Sequence, residues 1–265
     1  MGYTPAVPSS NPPSPLPLRS TRTLEERVTP FNTMAVVQVG DRIDLDVEGA
    51  TYATWHPARL LTGYSWDALS MACLLRSGGP PASILMLGLG GGTVARQLRR
   101  FLPDVRLVGV EIDPGVVDVA RRHLHLDDSD VEVHVADAYA WLAGSDERFD
   151  VVIDDLFLTG ATDVVRSRVP EGDTLALVRR RVAVGGLVVA NLITDTGEHA
   201  AVRKQTRAAF RGAFKAARVV KPPRGLNEIL VAGDEVATGR ALQLYAPLVD
   251  AEDRKLFDAV EVSPL

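Results

Sequence analysis

Cysteine occurs once, at Cys73, so no disulfide can close within the chain and no thiolate cluster can hold a metal. Cys73 lies in an apolar helical pattern and reads as a small core residue. Histidine is scarce too. His123 and His125 are two apart and face different ways on a helix, so no metal site is expected. His56, before Pro57, reads as part of a surface turn. Aromatic residues make up 6%, and no basic cluster interleaved with aromatics marks a nucleic-acid groove. The net charge of −5 points the same way and leaves room for a cationic ligand. No apolar run approaches the ~18 residues of a membrane-spanning helix, so no membrane partner is expected. No basic start followed by an apolar stretch suggests a secretory signal, and a cytoplasmic location is the expectation. No internal repeat and no Ser/His/Asp spacing stands out. Arg179-Arg180-Arg181 reads as a solvated helix face.

What is present is concentrated between Ser83 and Asp155. Ile84-Leu85-Met86-Leu87 is a short apolar run, read as a buried strand. Gly88-Leu89-Gly90-Gly91-Gly92-Thr93 follows, then a helical pattern with Val94, Leu98 and Phe101 on one face. Arg106 to Glu111 is a second strand ending in an acid. This is the first βαβ unit of a nucleotide-binding sheet. A dinucleotide fingerprint needs G-x-G-x-x-G, and its third position here is Thr93. The spacing that fits is G-x-G-x-G, through Gly88, Gly90 and Gly92, which suits the amino-acid part of S-adenosylmethionine. Glu111 can accept both ribose hydroxyls, with Ile112 beside it. Val131–Val135 reads as a third strand, followed by Asp137 and Ala138, which can meet the adenine edge. Phe149–Asp155 is a fourth strand ending in Asp154 and Asp155. Ligands in such sheets sit at the carboxyl ends of the strands, where these residues fall.

The 265 residues suffice for one sizeable α/β domain with a small appendage. Residues 1–20 hold six prolines and four serines, and a disordered arm is expected over 1–30. Between residues 34 and 54, three alternating runs separated by Gly-Asp and Glu-Gly turns predict antiparallel hairpins. A helix is expected over 58–76, carrying Tyr64 and Trp66. Residues 31–80 thus form a small N-terminal region, and 81–265 a Rossmann-like domain. Leu156–Asp173 reads as a long connection of the kind that covers substrates, carrying Asp163, Arg166 and Arg168. Thr174–Ala183 is read as a helix capped by Gly185-Gly186, Leu187–Leu192 as strand, and His199–Ala213 as helix. Ala216–Val220 and Glu228–Val231 are read as strands, and the segment with Leu242, Leu244, Tyr245 and Leu248 as a last helix.

From Leu60 to about Gly233 the chain resembles the spermidine synthase family, and most of all its bacterial spermidine synthase-like members. The resemblance rests on Leu87–Gly92, Val110–Pro114, Ala136–Ala138, Phe149–Ile153 with Asp155, and Leu177–Val182 leading to Gly185-Gly186. It implies an α/β fold with a Rossmann-like class I methyltransferase sheet, preceded by a small antiparallel β-hairpin region. Two positions depart from the family. The aspartate of its glycine loop, which binds the amine of decarboxylated S-adenosylmethionine, falls on Gly91. The second aspartate of its Asp-Ser-Ser-Asp-Pro stretch falls on Leu158, and Asp155 matches the first.

Glycine at 91 leaves space for the carboxylate of intact S-adenosylmethionine. The expectation is therefore methyl transfer to a small molecule, cationic or aromatic, leaving S-adenosylhomocysteine. The cofactor-binding residues expected are Gly88, Gly90, Gly91, Gly92, Glu111, Ile112, Asp137, Ala138 and Asp154. The acceptor-side residues expected are Asp155, Tyr64 and Trp66, with the aromatics suited to a planar or cationic group. Aminopropyl transfer to a diamine is the alternative, and a non-catalytic nucleoside-binding protein the third reading. A homodimer stays open.

Overall fold

The computed structural model describes residues 20–159, 164–166, 168–195 and 197–265. Four strands come first: β1 (Thr21–Val28), β2 (Thr33–Val39), β3 (Arg42–Val47) and β4 (Ala50–Trp55), paired antiparallel in chain order. Their alternation buries Met34, Val36, Leu45, Val47 and Ala53 on one face. Glu48 and Gly49 both have positive φ, the backbone a tight two-residue hairpin turn needs. The expected arm 1–30 is thus corrected over Thr21–Val28. That segment is a charged strand with little buried surface, so apolar periodicity gives no sign of it. The rest of the arm, 1–19, lies outside the described residues.

The main sheet begins after α1 (Ser65–Cys73). In order come β5 (Ser83–Leu87), α2 (Thr93–Phe101), β6 (Arg106–Glu111), α3 (Pro114–His123), β7 (Val131–Val135), α4 (Ala138–Gly144) and β8 (Phe149–Asp154). The short strands β9 (Phe157–Thr159) and β10 (Val164–Arg166) pair as a ribbon, within the stretch read as a plain connection. Asp163 lies outside the described residues. Then come α5 (Gly172–Arg180), β11 (Val182–Ile193), α6 (Glu198–Ala213), β12 (Ala216–Lys221), β13 (Asn227–Gly233), α7 (Arg254–Asp258) and β14 (Glu261–Pro264). The eight-stranded sheet runs β14-β12-β13-β11-β8-β5-β6-β7. Strands β7, β6, β5, β8 and β11 are parallel, and β13, β12 and β14 add on antiparallel. The chain winds outward from β5 to β7, then returns to β8 on the other side of β5. That reversal opens a crevice at the strands' carboxyl ends.

Strand alternation divides the core. Ile84, Met86 and Leu107 pack with α1, α2, α3 and the N-terminal sheet, while Leu85, Leu87, Val108 and Val110 pack with α4, α5 and α6. Cys73 is buried in the first layer, where burial pushes its thiol far above the usual range.

Three expected elements differ. The helix expected from residue 58 starts at Ser65, because buried carboxyl groups capture the backbone before it. Asp67 accepts from the amides of Thr62 and Gly63, and Asp253 from those of Leu60 and Leu61. Arg96 adds bonds to the carbonyls of His56 and Arg59. Gly185-Gly186 lie inside β11, at a register shift between Val182 and Leu187, instead of capping α5. The expected last helix is two short 3₁₀ turns, Gly239–Leu244 and Ala246–Leu248, with Pro247 in the second. Beyond them, α7 and β14 had no counterpart in the sequence reading.

The two sheets are fastened at several points. Thr54 and Thr93 bond reciprocally, the Thr54 amide to Oγ1 at 2.9 Å and Oγ1 to the Thr54 carbonyl at 3.0 Å. Glu25 on β1 meets Arg122 and His123 on α3. The Arg122 guanidinium beside Glu25 holds its carboxyl at about 2, against an ordinary 4.5. A depressed acid contributes stability above its unfolded value and loses it as pH falls through its folded one. Glu25→Gln should therefore lower Tm at pH 7 by about 2 °C, a small effect because the pair is partly solvated. In thermal melts the gap from the parent should close between pH 4.5 and about 2. A gap that persists at pH 2 would show that the loss is not electrostatic.

Candidate functional site

The crevice forms a cleft of about 860 Å³ between the main sheet's carboxyl edge and the N-terminal sheet. Its floor begins with the turn after β5. The amides of Gly88 and Leu89 both donate to the Val110 carbonyl, at 3.0 and 3.2 Å. Gly88 has φ +84°, and a Cβ there would fall 2.5 Å from the Asp155 carbonyl oxygen. Only glycine lets this turn pass so close to the end of β8.

Glu111 ends β6 at the cleft floor. Its Oε2 accepts from the Gly90 amide at 2.9 Å and its Oε1 from the Asp113 amide at 3.1 Å. Burial pushes its carboxyl above the usual range, and the two amides work against that shift. A carboxylate has about four acceptor positions, so one held this way can still accept from vicinal hydroxyls. Asp113 is fully buried and accepts from Thr29 Oγ1 (2.6 Å), Asn32 Nδ2 (2.8 Å) and the Gly115 amide (2.8 Å). It caps α3 and fixes the turn whose Phe31 and Asn32 form the opposite wall. Asp137 caps α4 through the Ala140 amide at 2.8 Å and lines the cleft with Ala138 and Tyr139. The Arg168 guanidinium lies 4.3 Å from the centre of the Tyr139 ring.

Asp155 sits just beyond β8, its amide donating to the Leu87 carbonyl at 3.0 Å. Its Oδ1 accepts from Asn191 Nδ2 at 2.8 Å, and Asn191 Oδ1 accepts from Asn227 Nδ2 at 3.0 Å. Amide side chains from β11 and β13 thus orient the carboxyl group. Trp66, Phe157, Leu226 and Asp195 also line the cleft. Among the described residues no cluster of three or more metal-ligating side chains is found.

A model of the methyltransferase domain family matches residues 84–168. The chain is 32% identical over 165 residues to a probable polyamine aminopropyl transferase of Bifidobacterium longum, covering 61% of this chain and 35% of that protein. The match thus spans about a third of that relative's length. A probable spermidine synthase from Corynebacterium glutamicum superposes with a TM-score of 0.71 at 17% identity, covering 92% of this chain and 90% of that one. A spermidine synthase in complex with the transition-state analogue AdoDATO gives 0.63 at 16%, covering 89% and 78%. The fold is spermidine synthase-like, and the methyltransferase-domain match lies within it. The mixed α/β sheet and the antiparallel N-terminal sheet both agree with that.

In this spermidine synthase-like chain, eight of the residues picked out from sequence line one cleft: Gly88, Gly90, Glu111, Ile112, Asp137, Ala138, Asp155 and Trp66. Four do not. A Cβ on Gly91 would meet the Ala53 methyl at 2.5 Å and Leu124 at 3.2 Å, so position 91 faces the apolar seam between the sheets. Gly92 likewise backs onto Leu126. Asp154 is the last residue of β8, and strand alternation turns its buried side chain to the face opposite Asp155. Tyr64 stands half-exposed before α1 and packs edge-on against Trp66, with ring centres 6.4 Å apart. The Leu158 side chain lies outside the described residues.

Sequence reasoning named Arg168 only within the connection Leu156–Asp173 and missed Phe31, Asn32, Asp113, Asn191, Asp195 and Asn227. Asn191 carried a usable signal, a polar residue inside the apolar run Leu187–Leu192. Asp113, before Pro114-Gly115, carried a helix N-cap signal. The others have no local mark.

If Glu111 receives ribose hydroxyls, Glu111→Gln loses charge-assisted bonds worth about 1.5–3 kcal/mol. Calorimetry should then show methylthioadenosine bound at least about tenfold more weakly than by the parent. Equal affinity in a folded variant would remove the nucleoside from this end of β6.

Proposed function

We propose that the chain transfers an aminopropyl group from decarboxylated S-adenosylmethionine to an amine. The observation that carries this reading is the acidic lining of the cleft. Glu111, Asp137, Asp155 and Asp195 all line it, and Asn191, itself bonded to Asn227, orients Asp155. Among the described lining residues the one cation, Arg168, stacks on Tyr139 in α4. Such a lining favours an ammonium group and disfavours a carboxylate. The relative named an aminopropyl transferase supports the same choice.

The expectation of methyl transfer rested on Gly91 lying beside the donor's tail and on Leu158 standing where the family has its second aspartate. Position 91 faces Ala53 and Leu124, so the missing aspartate says nothing about that tail. Aspartate there would press a charge into an apolar seam. Methyl transfer from intact S-adenosylmethionine stands as the second reading, carried by the methyltransferase-domain match over residues 84–168.

In the proposed reaction, Glu111 and Asp137 hold the adenosine and Gly88 and Gly90 admit the chain attached to sulfur. The acceptor's neutral nitrogen attacks the propyl carbon bonded to the sulfonium. A C–N bond forms, the C–S bond breaks, and its electron pair returns to sulfur, leaving neutral methylthioadenosine. The nitrogen's surplus proton passes to the Asp155 carboxylate and then to water. Alignment of nitrogen, carbon and sulfur supplies most of the acceleration in such a displacement. Asp155, held by its amide neighbours, is suited to aim the nitrogen.

Mass spectrometry of two incubations tests this. With decarboxylated donor and putrescine, methylthioadenosine and a triamine should accumulate. With intact donor and putrescine, little S-adenosylhomocysteine should form. The reverse pattern would install methyl transfer, and product from neither donor would favour a protein that binds the nucleoside without turnover.

A further inference from the structure

The expectation against a nucleic-acid partner used the net charge of −5, which averages over two unlike parts. From α5 to β13, residues 172–233 hold eleven Lys and Arg against four Asp and Glu, a net of +7, while the rest of the chain carries −12. The fold gathers this excess on one flank. Helices α5 and α6 pack on the same face of the main sheet, through Leu175, Val178 and Phe210. Their C-terminal ends meet there, because the Arg179 guanidinium lies 5.0 Å from the centre of the Phe214 ring at the end of α6. Arg179, Arg180, Arg211 and Lys215 are exposed around these two ends. Lys204 is exposed on α6, two turns before Arg211 and on the same side of the helix.

The four acids leave this charge standing. Asp195 lines the cleft, Asp173 lies in the first turn of α5, and Glu198 begins α6 at the end away from Arg211. Glu228 is fully buried on β13, and two cations of α6 share it, Arg203 at 2.8 Å and Arg207 at 2.9 Å. Lys215 reaches Asp234 at 3.3 Å in an exposed pair, which is weak. Among the described residues Arg179, Arg180, Lys204 and Arg211 have no ion-pair partner. Arg27, Arg106 and Arg122, by contrast, are each held by two acids.

The surface between the cations narrows the choice of partner. The outward positions beside Lys204 and Arg211 are Gln205, Ala208 and Gly212, so the two cations stand clear of the helix. None of the large exposed apolar side chains described lies on α5 or α6. A protein interface has an apolar centre and membrane insertion uses apolar side chains, so this flank suits a polyanion held by charge. Single strands stack on aromatic rings, and the ring at this flank, Phe214, already carries Arg179. A duplex fits better. The major groove of DNA admits a helix, whereas that of duplex RNA is too narrow.

We propose that the α5–α6 flank docks on the phosphate backbone of duplex DNA without reading its sequence. Arg180, Lys204, Arg211 and Lys215 contact phosphates and displace their condensed counterions. No described residue of α5 or α6 lines the cleft, so the inference is independent of the reaction assigned to it.

Fluorescence anisotropy of the full chain with a labelled DNA duplex of about 20 base pairs and arbitrary sequence tests this. Between about 50 and 200 mM KCl the wild-type affinity should fall about fortyfold or more, as for three or more phosphate contacts. Lys204→Ala and Arg211→Ala combined should weaken binding at least about tenfold at the lower salt and reduce the salt slope by about 2. Arg180→Ala alone should reduce it by about 1. Lys255→Ala, on α7 in the other helical layer, should leave the affinity within about twofold. Thermal melts within about 2 °C of the parent show that each variant is folded. Absent or salt-independent binding by the wild type overturns the inference, as does equal binding by the combined variant or an equal loss from Lys255→Ala. Tighter binding of a duplex RNA of the same length, or of phosphatidylserine vesicles, than of the DNA overturns it as well.

Discussion

A buried carboxyl group at the end of β6 organises the molecule. Asp113 has no solvent around it, and a carboxyl group deprived of water needs donors. It finds them in three places: Thr29 and Asn32 in the β1–β2 turn, and the amide of Gly115 at the start of α3. Its own amide, in turn, donates to Glu111. One residue therefore couples the acid at the cleft floor, the first turn of α3 and the opposite wall. The cleft exists because the N-terminal sheet is held at this distance, and the Thr54–Thr93 pair fixes its other end.

The nucleotide half of the fold was legible because β5, β6 and β8 are buried on both faces and read as unbroken apolar runs. The glycine turn and the acids at the strand ends follow directly in sequence, so their place in the crevice could be inferred. Of the opposite wall, the hairpins of β2 to β4 were legible from their alternation, but β1 and the turn after it were not. Strand β1 is exposed and charged, held by pairing and by Glu25 with Arg122 and His123, none of which leaves an apolar rhythm. The coil before α1 defeats helix periodicity because the partners of its amides, Asp67 and Asp253, are respectively near and very far in sequence.

Within the site the errors have a common cause. Sequence spacing located the Cα of Gly91 correctly in the loop, but it could not say which way a side chain would point from it. The backbone turns that position toward Ala53. Asp154 and Asp155 were indistinguishable as a pair of acids, and alternation at the end of β8 separates them into core and cleft. Asn191, Asp195 and Asn227 come from strands more than thirty residues beyond the glycine-rich unit, and only the order β13-β11-β8-β5 brings them beside it.

These placements leave a cleft bordered by Glu111, Asp137, Asp155 and Asp195, with Arg168 stacked to one side on Tyr139. The two donors in question differ by a single carboxylate. At an effective dielectric near 20, that extra charge about 7 Å from one of these acids costs roughly 2 kcal/mol. The most direct measurement is the equilibrium affinity of the wild-type protein for the two donors, determined side by side by calorimetry at one pH and ionic strength. Decarboxylated S-adenosylmethionine should bind at least about tenfold more tightly than the intact form. Equal affinities, or tighter binding of the intact donor, would contradict the assignment of this cleft to aminopropyl transfer.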